Sequence, residues 1–345
     1  MKVPKARKLP SGMWFIQLRL GGESISITER TEKKCTAKAA LIKAEHIAGR
    51  RPGKTAAGEK TLREIITEYI DSLRATRSPS TIRGYVQICD SRFKSYLDKP
   101  VGYIKDWQRV VNEESQLCGE KTLKNAWGLV RPALKKAHIP VPDVKLPMIP
   151  EHETPWLTPE ELSPFIQESL KTQMAIPLLV TMHGLRQSEV LALKWEDIDL
   201  KKGTMYVHTA AVRNDKNELT YKQTPKTKES NRHVPILIPA LKDLLTEQSA
   251  APHAKTDLVS PDITQGKLYY WVKKTSQTAG VTVISPHGLR HSFASLCYHL
   301  GISEKATMRL GGWSDIAVMR KIYTKLSEKD ISDEKQKLAD FFDKC

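Results

Sequence analysis

Arg186 follows a Gly184-Leu185 pair, and Glu189 comes three residues after it, a spacing that puts both on one helix face and lets the carboxylate hold the guanidinium. Further along, in Ser285-Pro286-His287-Gly288-Leu289-Arg290, a histidine and a second arginine are also three apart, near a helix start. A third segment, Leu310-Gly311-Gly312-Trp313, is followed ten residues after the tryptophan by Tyr323. Two guanidiniums, an imidazole and an indole N–H make a donor set suited to a phosphate whose negative charge grows during reaction. A tyrosine hydroxyl beside them can attack phosphorus and hold it as a covalent ester. Taken singly, each signal has a plainer reading: a surface ion pair, a chance His-x-x-Arg, a core indole, a half-buried phenol. Their joint order and spacing carry the case.

The elements that must bring these segments together occupy the second half of the chain. Thr158-Pro159-Glu160-Glu161 is a helix start, with a cap, a proline at the first helical position and acids in the first turn. Strands are expected over 204–209 and 232–238. Helices are expected over 241–248, 267–278, 291–300 and 304–310. Ahead of this, 139–155 holds five prolines and reads as a linker. The 61–145 region is helical throughout. Thr61 and Glu64 form a capping box there, and Leu62, Ile65, Ile66, Tyr69, Ile70 and Leu73 fall on one face. Further helices are expected after Ser80-Thr81 (carrying Tyr85, Ile88, Phe93 and Leu97), over 104–114 and over 120–137. The first 55 residues read as strand (13–20), a Gly21-Gly22 turn, strand (24–28) and helix (37–48), and 50–60 reads as a second linker.

The chain has 345 residues and a net charge of +16, so a polyanion is the expected partner. The excess sits early: residues 1–60 hold 14 Lys and Arg against 5 Asp and Glu, whereas 151–345 hold 26 against 24. The N-terminal half is therefore expected to grip phosphates. No apolar run approaches the roughly 18–20 residues that span a bilayer, and no secretory leader is expected. The five cysteines, Cys35, Cys89, Cys118, Cys297 and Cys345, are scattered without metal-ligand or CxxC spacing. A reduced, cytoplasmic setting without structural zinc fits.

With these residues in order, the last 190 or so positions resemble the catalytic domain of the tyrosine recombinase family, which includes phage and conjugative-transposon integrases. That family shows an arginine in a Gly-Leu-Arg context with an acid three on, a lysine on a β-hairpin, a His-x-x-Arg box, a Leu-Gly-His or Leu-Gly-Trp step, and a nucleophilic tyrosine. The resemblance implies catalytic roles for Arg186, His287, Arg290, Trp313 and Tyr323, with Glu189 supporting Arg186. Trp313 stands where most members have histidine, which weakens any direct proton-transfer role there. The segment Thr224 to Pro235 resembles the hairpin; Lys226 fits the lysine position best, and Lys228 is the competitor. The resemblance extends, less specifically, to 61–145 as an all-α core-binding domain and to 1–55 as an arm-binding α+β domain. The expected class is thus multidomain, with a mixed α+β catalytic domain over 155–345 that includes a C-terminal tail.

The family's chemistry implies attack by Tyr323 on a DNA phosphate and a 3′-phosphotyrosine. A 5′-hydroxyl leaves, and strands are exchanged when a partner 5′-hydroxyl attacks. No cofactor or metal is implied, and no Asp/Glu cluster suggests a two-metal site. The implied partners are double-stranded DNA with core-type and arm-type sites, three further copies in a tetramer built from free monomers, and possible excisionase and DNA-bending proteins. A type IB-like topoisomerase and a non-catalytic DNA-binding protein of the same fold are the rival readings. Past Tyr323, Ile331, Leu338, Phe341 and Phe342 could form one apolar helix face, docking either on its own domain or on a neighbouring copy.

Overall fold

The computed structural model describes residues 3–20, 23–47, 60–150, 154–223 and 231–323, together with 335, 339 and 342. The chain divides into two compact units, Met1–Ile149 and Pro150–Cys345.

In the first unit, β1 (Arg7–Lys8), β2 (Trp14–Leu20) and β3 (Glu23–Glu29) form an antiparallel sheet in that order. Period-two alternation buries Ile16, Leu18 and Ile27 under α1 (Glu32–Ile47), whose Cys35 and Ala39 complete the small core. This helix starts five residues before the expected Ala37. The Thr31 hydroxyl accepts the Lys34 N–H at 3.3 Å, an ordinary cap that a polar Glu-Lys-Lys first turn disguises. The Gly21-Gly22 turn and the 50–60 linker, apart from Lys60, lie outside the described residues.

The helical part of this unit holds α2 (Leu62–Leu73), α3 (Pro79–Ser91), α4 (Lys94–Leu97), α5 (Trp107–Ser115) and α6 (Glu120–Lys136). The Thr61/Glu64 capping box forms as expected, with the Thr61 N–H donating to Glu64 Oε2 at 2.8 Å. Leu62, Ile65 and Ile66 are buried against Leu123, Trp127 and Val130 of α6. One helix was expected to run through Phe93 and Leu97, but it breaks at Phe93, which adopts φ +53°. Its buried N–H is taken by Glu114 Oε2 at 2.8 Å, reaching over from α5. The third helix begins at Trp107 rather than 104, because Asp106 caps it by accepting the Arg109 N–H at 3.0 Å. The stretch after α6 has neither helix nor strand, yet Ile139, Val141, Val144 and Leu146 pack on the helical core. Gln108 and the Lys145 backbone exchange two hydrogen bonds, at 2.8 and 3.1 Å, so the start of the expected linker is docked.

The second unit opens with α7 (Pro159–Leu170), set by the Thr158/Glu161 capping box, then α8 (Ala175–Met182) and the single-turn α9 (Gln187–Val190). The strands β4 (Ile198–Asp199) and β5 (Thr204–Val207) follow, with β6 (Thr209–Arg213), β7 (Leu219–Gln223) and β8 (Arg232–Pro235). They form two small antiparallel sheets, β4-β5-β8 and β6-β7. The expected 204–209 strand is cut at His208, whose Nε2 bonds Asp197 Oδ1 at 2.8 Å. Then come α10 (Pro239–Ser249), α11 (Gln265–Thr278), α12 (Pro286–His299), α13 (Glu304–Gly311) and α14 (Ile316–Tyr323). Phe165, Leu178, Leu179, Leu185, Leu241, Leu268 and Leu289 share one core. Helix α12 starts at Pro286 rather than His291, because the Ser285 hydroxyl caps it by accepting the Gly288 N–H at 3.2 Å. Of the expected C-terminal apolar face, Ile331, Leu338 and Phe341 lie outside the described residues; Phe342 is helical and exposed. Among the described residues no helix is long and apolar enough to cross a membrane.

A buried histidine ties α8 to the segment after β8. The Leu237 N–H donates to His183 Nε2 at 2.9 Å, which leaves Nδ1–H to donate to the Leu179 carbonyl at 2.8 Å. Burial pushes this imidazole down to about 4. The unfolded chain therefore binds a proton that the folded one refuses as pH falls from 6.5 toward 4. That interval should cost the second unit up to about 3 kcal/mol from this group alone. Denaturant unfolding at pH 7 and pH 4.5 measures the loss, and His183→Gln should make the second unit's stability flatter over that range.

Candidate active site

A short turn after α8 brings Arg186 out of the core, where it serves as the N-cap of α9. Its own N–H donates to Glu189 Oε2 at 2.8 Å, and its Nη1 donates to Oε1 at 2.7 Å. The expected three-residue pairing is therefore formed, but Glu189 is 1% exposed and does more than flank one arginine. Arg186 Nη2 donates to the Gly312 carbonyl at 2.6 Å. The guanidinium remains partly open to solvent, so an anion arriving from outside can reach it.

The early start of α12 places His287 and Arg290 in its first turn and a half. Arg290 is buried; it donates to the Gly184 carbonyl and, at 2.6 Å, to the Gly311 carbonyl. Its guanidinium lies over the Trp313 ring, 4.0 Å from the centroid. His287 is exposed, with its ring 4.4 Å from that of His291. Arg186, Arg290 and Trp313 are thus gathered around one turn, with His287 on the same helix as Arg290.

That turn needs its glycines. A Cβ on Gly311 would stand 1.8 Å from the Trp313 ring, and Gly312 has φ +71°. The sequence reading missed Arg232 at the start of β8, whose guanidinium a Cβ on Gly312 would meet within 2.7 Å. It donates through Nη2 to Glu189 Oε2 at 2.9 Å, through Nη1 to Glu189 Oε1 at 3.3 Å, and through Nε to the Leu310 carbonyl at 2.8 Å. Period two in Arg232-His233-Val234 puts a charge on the same inward face as buried Val234, a signal that could have found it.

The electrostatics follow from this crowding. Burial acts to raise the Glu189 carboxyl, but the Arg232 hydrogen bonds and charge, with Arg186, more than offset it and hold it below its usual range. Burial, then the Arg186 charge, push Arg290 down to about 9, still above neutrality, so it remains a cation at pH 7. Although His287 is exposed at its surface, partial desolvation of the ring within the site, then the charges of Arg290 and Arg186, lower it and favour its neutral form. His291, lowered by burial and by its neighbours His287 and Arg290 to about 4, is neutral too.

Tyr323 is the last residue of α14, a helix that begins three residues after Trp313; its side chain lies outside the described residues. Lys226 and Lys228 lie outside them as well. The strands on either side of their segment belong to different sheets, β7 pairing with β6 and β8 with β5. The hairpin turn expected over this segment falls outside the described residues. Among the described residues no group of His, Cys, Asp and Glu is placed to hold a metal ion.

Comparison with known proteins bears on this arrangement. A tyrosine recombinase XerC-like protein of Caldanaerobacter subterraneus subsp. tengcongensis is 32% identical over 235 residues, covering 60% of this chain and 59% of that protein. The integrase of Salmonella phage P22 is 22% identical over 218 residues, covering 58% of this chain and 51% of its own. The chain thus spans between half and three-fifths of the length of these two relatives. Among solved structures, the Tn1549 transposon integrase in complex with circular intermediate DNA superposes with a TM-score of 0.65 at 17% identity, over 81% of this chain and 100% of that one. A lambda integrase tetramer bound to a Holliday junction gives 0.57 at 18% identity, over 94% and 97%. These two show a shared fold. The model of the phage integrase family matches residues 155–330, more than half of the sequence and every described residue of the site, so this chain belongs to the phage integrase family.

Proposed function

We propose that this protein is a site-specific DNA recombinase that cuts and rejoins strands through a 3′-phosphotyrosine, integrating and excising a mobile element. The observation that carries the reading is the meeting of Arg186, Arg290 and Trp313 at the Gly311-Gly312 turn, with His287 in the same helical turn as Arg290. The Tyr323 hydroxyl attacks the scissile phosphorus and displaces the 5′-oxygen. Arg186 and Arg290 hold the non-bridging oxygens as their charge grows. A neutral His287 takes the tyrosine proton, and Lys226 delivers one to the leaving 5′-oxygen. Attack by a partner strand's 5′-hydroxyl reverses these steps, so the phosphoester energy is conserved and no nucleotide cofactor is required.

In this reading 155–345 carries the chemistry, 61–145 grips the core site and 1–55 binds a separate arm-type site, the last supported by the charge surplus of the first 60 residues. Four copies assemble on paired sites, as in the lambda integrase tetramer on its Holliday junction. Excisionase and host DNA-bending proteins are further partners, and the reaction takes place in the cytoplasm of a bacterial host. A duplex nicked near the scissile phosphate tests the reading, because the short 5′ fragment diffuses away and traps the covalent adduct. Adduct formation supports a recombinase; binding without adduct would leave only the DNA-binding reading. Strand transfer to a partner duplex separates a recombinase from a topoisomerase.

The lysine is tested separately. Lys226→Ala should slow cleavage by about 10²- to 10⁴-fold, the range of a lost general acid, and Lys228→Ala far less. A 5′-bridging phosphorothioate, whose sulfur leaves without a proton, should restore the Lys226 variant. Restoration of the Lys228 variant instead would exchange their roles.

A further inference from the structure

Three consecutive carbonyl oxygens at the end of α13 are each held by a different arginine: Leu310 by Arg232, Gly311 by Arg290 and Gly312 by Arg186. Two of these guanidiniums were expected near the reacting phosphate. The third, Arg232, is about as buried as Arg290, at 4% exposed, and no motif or resemblance assigned it a phosphate oxygen. Its fork is nevertheless fully directed. Nη1 and Nη2 grip both oxygens of Glu189, the carboxylate that also holds the Arg186 backbone and guanidinium, while Nε holds the turn leading to Trp313. Gly312 carries no side chain where a Cβ would come within 2.7 Å of this guanidinium.

We propose that Arg232 is a positioning residue that aims Arg186 and fixes the Gly311–Trp313 turn, acting through Glu189 and the Leu310 carbonyl. Only a planar fork can do this. A lysine ammonium at the same place keeps the charge but cannot satisfy two carboxylate oxygens and a carbonyl along three fixed directions. A guanidinium that drifts by about an ångström from the phosphate oxygen it stabilises loses on the order of 10²-fold in rate.

The inference rests on the recombinase reading, and its test separates the two. Arg232→Lys and wild type are compared in single-turnover cleavage of two nicked duplexes. One carries an ordinary scissile phosphate and the other a methylphosphonate, which lacks one negative charge and so depends less on an aimed guanidinium. Arg232→Lys should bind DNA within about twofold of wild type, cleave the phosphate about 10- to 100-fold more slowly, and lose no more than about threefold on the methylphosphonate. Partial unfolding would lower both rates by one factor, so the ratio between substrates does not depend on the folded fraction. A wild-type adduct with equal losses on both substrates would overturn the positioning role alone. A wild-type protein that forms no adduct on the ordinary phosphate overturns both readings.

Discussion

Tyr323→Phe is expected to abolish the covalent protein–DNA adduct while leaving DNA affinity within about twofold of wild type. The change deletes one oxygen and keeps the ring, so the phosphate-binding arginines and the basic N-terminal half are untouched. No second oxygen nucleophile is proposed for this site. The loss should therefore be at least about 10⁴-fold, the scale on which removal of a nucleophile leaves only the residual effect of binding and charge stabilisation. Denaturing gel electrophoresis of the nicked-duplex reaction reads the adduct, and gel shift reads the binding. Trapping of the Phe variant at the wild-type level would move the nucleophile elsewhere and with it the whole assignment of roles.

Glu189→Ala should give the largest loss of stability among single changes at the site. Glu189 and Arg232 have almost fully buried side chains. Removing the carboxylate leaves the Arg232 cation without its counter-charge and the Arg186 N–H without its acceptor, a loss of about 3–5 kcal/mol. In a unit of this size that corresponds to a drop of about 6–20 °C in the melting temperature of the second unit. Glu189→Gln keeps an acceptor and should lose less than half as much. Thermal unfolding followed by circular dichroism measures both. A change below about 1 kcal/mol for the Ala variant would show that Arg232 finds its stabilisation elsewhere, and the positioning argument would lose its first link.

The features that could be read from the chain were those written within a few residues. The Thr61/Glu64 and Thr158/Glu161 capping boxes set helix starts by contacts three residues apart, so spacing alone located them. Arg186 with Glu189, and His287 with Arg290, were legible for the same reason. What escaped depended on distant partners. The helix break at Phe93 exists because Glu114, on another helix, takes its N–H, and no local pattern announces that. Arg232 was passed over as one basic residue among several in its segment; the carboxylate that gives it a role lies 43 residues earlier. The start of α12 was misread for a different reason. Ser285-Pro286 is an ordinary cap and first-turn pair, and it starts the helix five residues ahead of the expected His291.

The triplet of oxygens at 310–312 has a consequence for how this site can drift in evolution. Each of the three belongs to the main chain, and every amino acid carries one. No point substitution can therefore delete an acceptor that orients an arginine here; it can only alter the path of the backbone. Side chains around the turn are free to vary while the arginine scaffold stays in register. The exposed weakness is length. A single inserted or deleted residue between Leu310 and Trp313 would offset three acceptors from three donors at once. Within this lineage, change in that turn should be confined to substitutions that keep Gly311 small and Gly312 able to hold a positive φ.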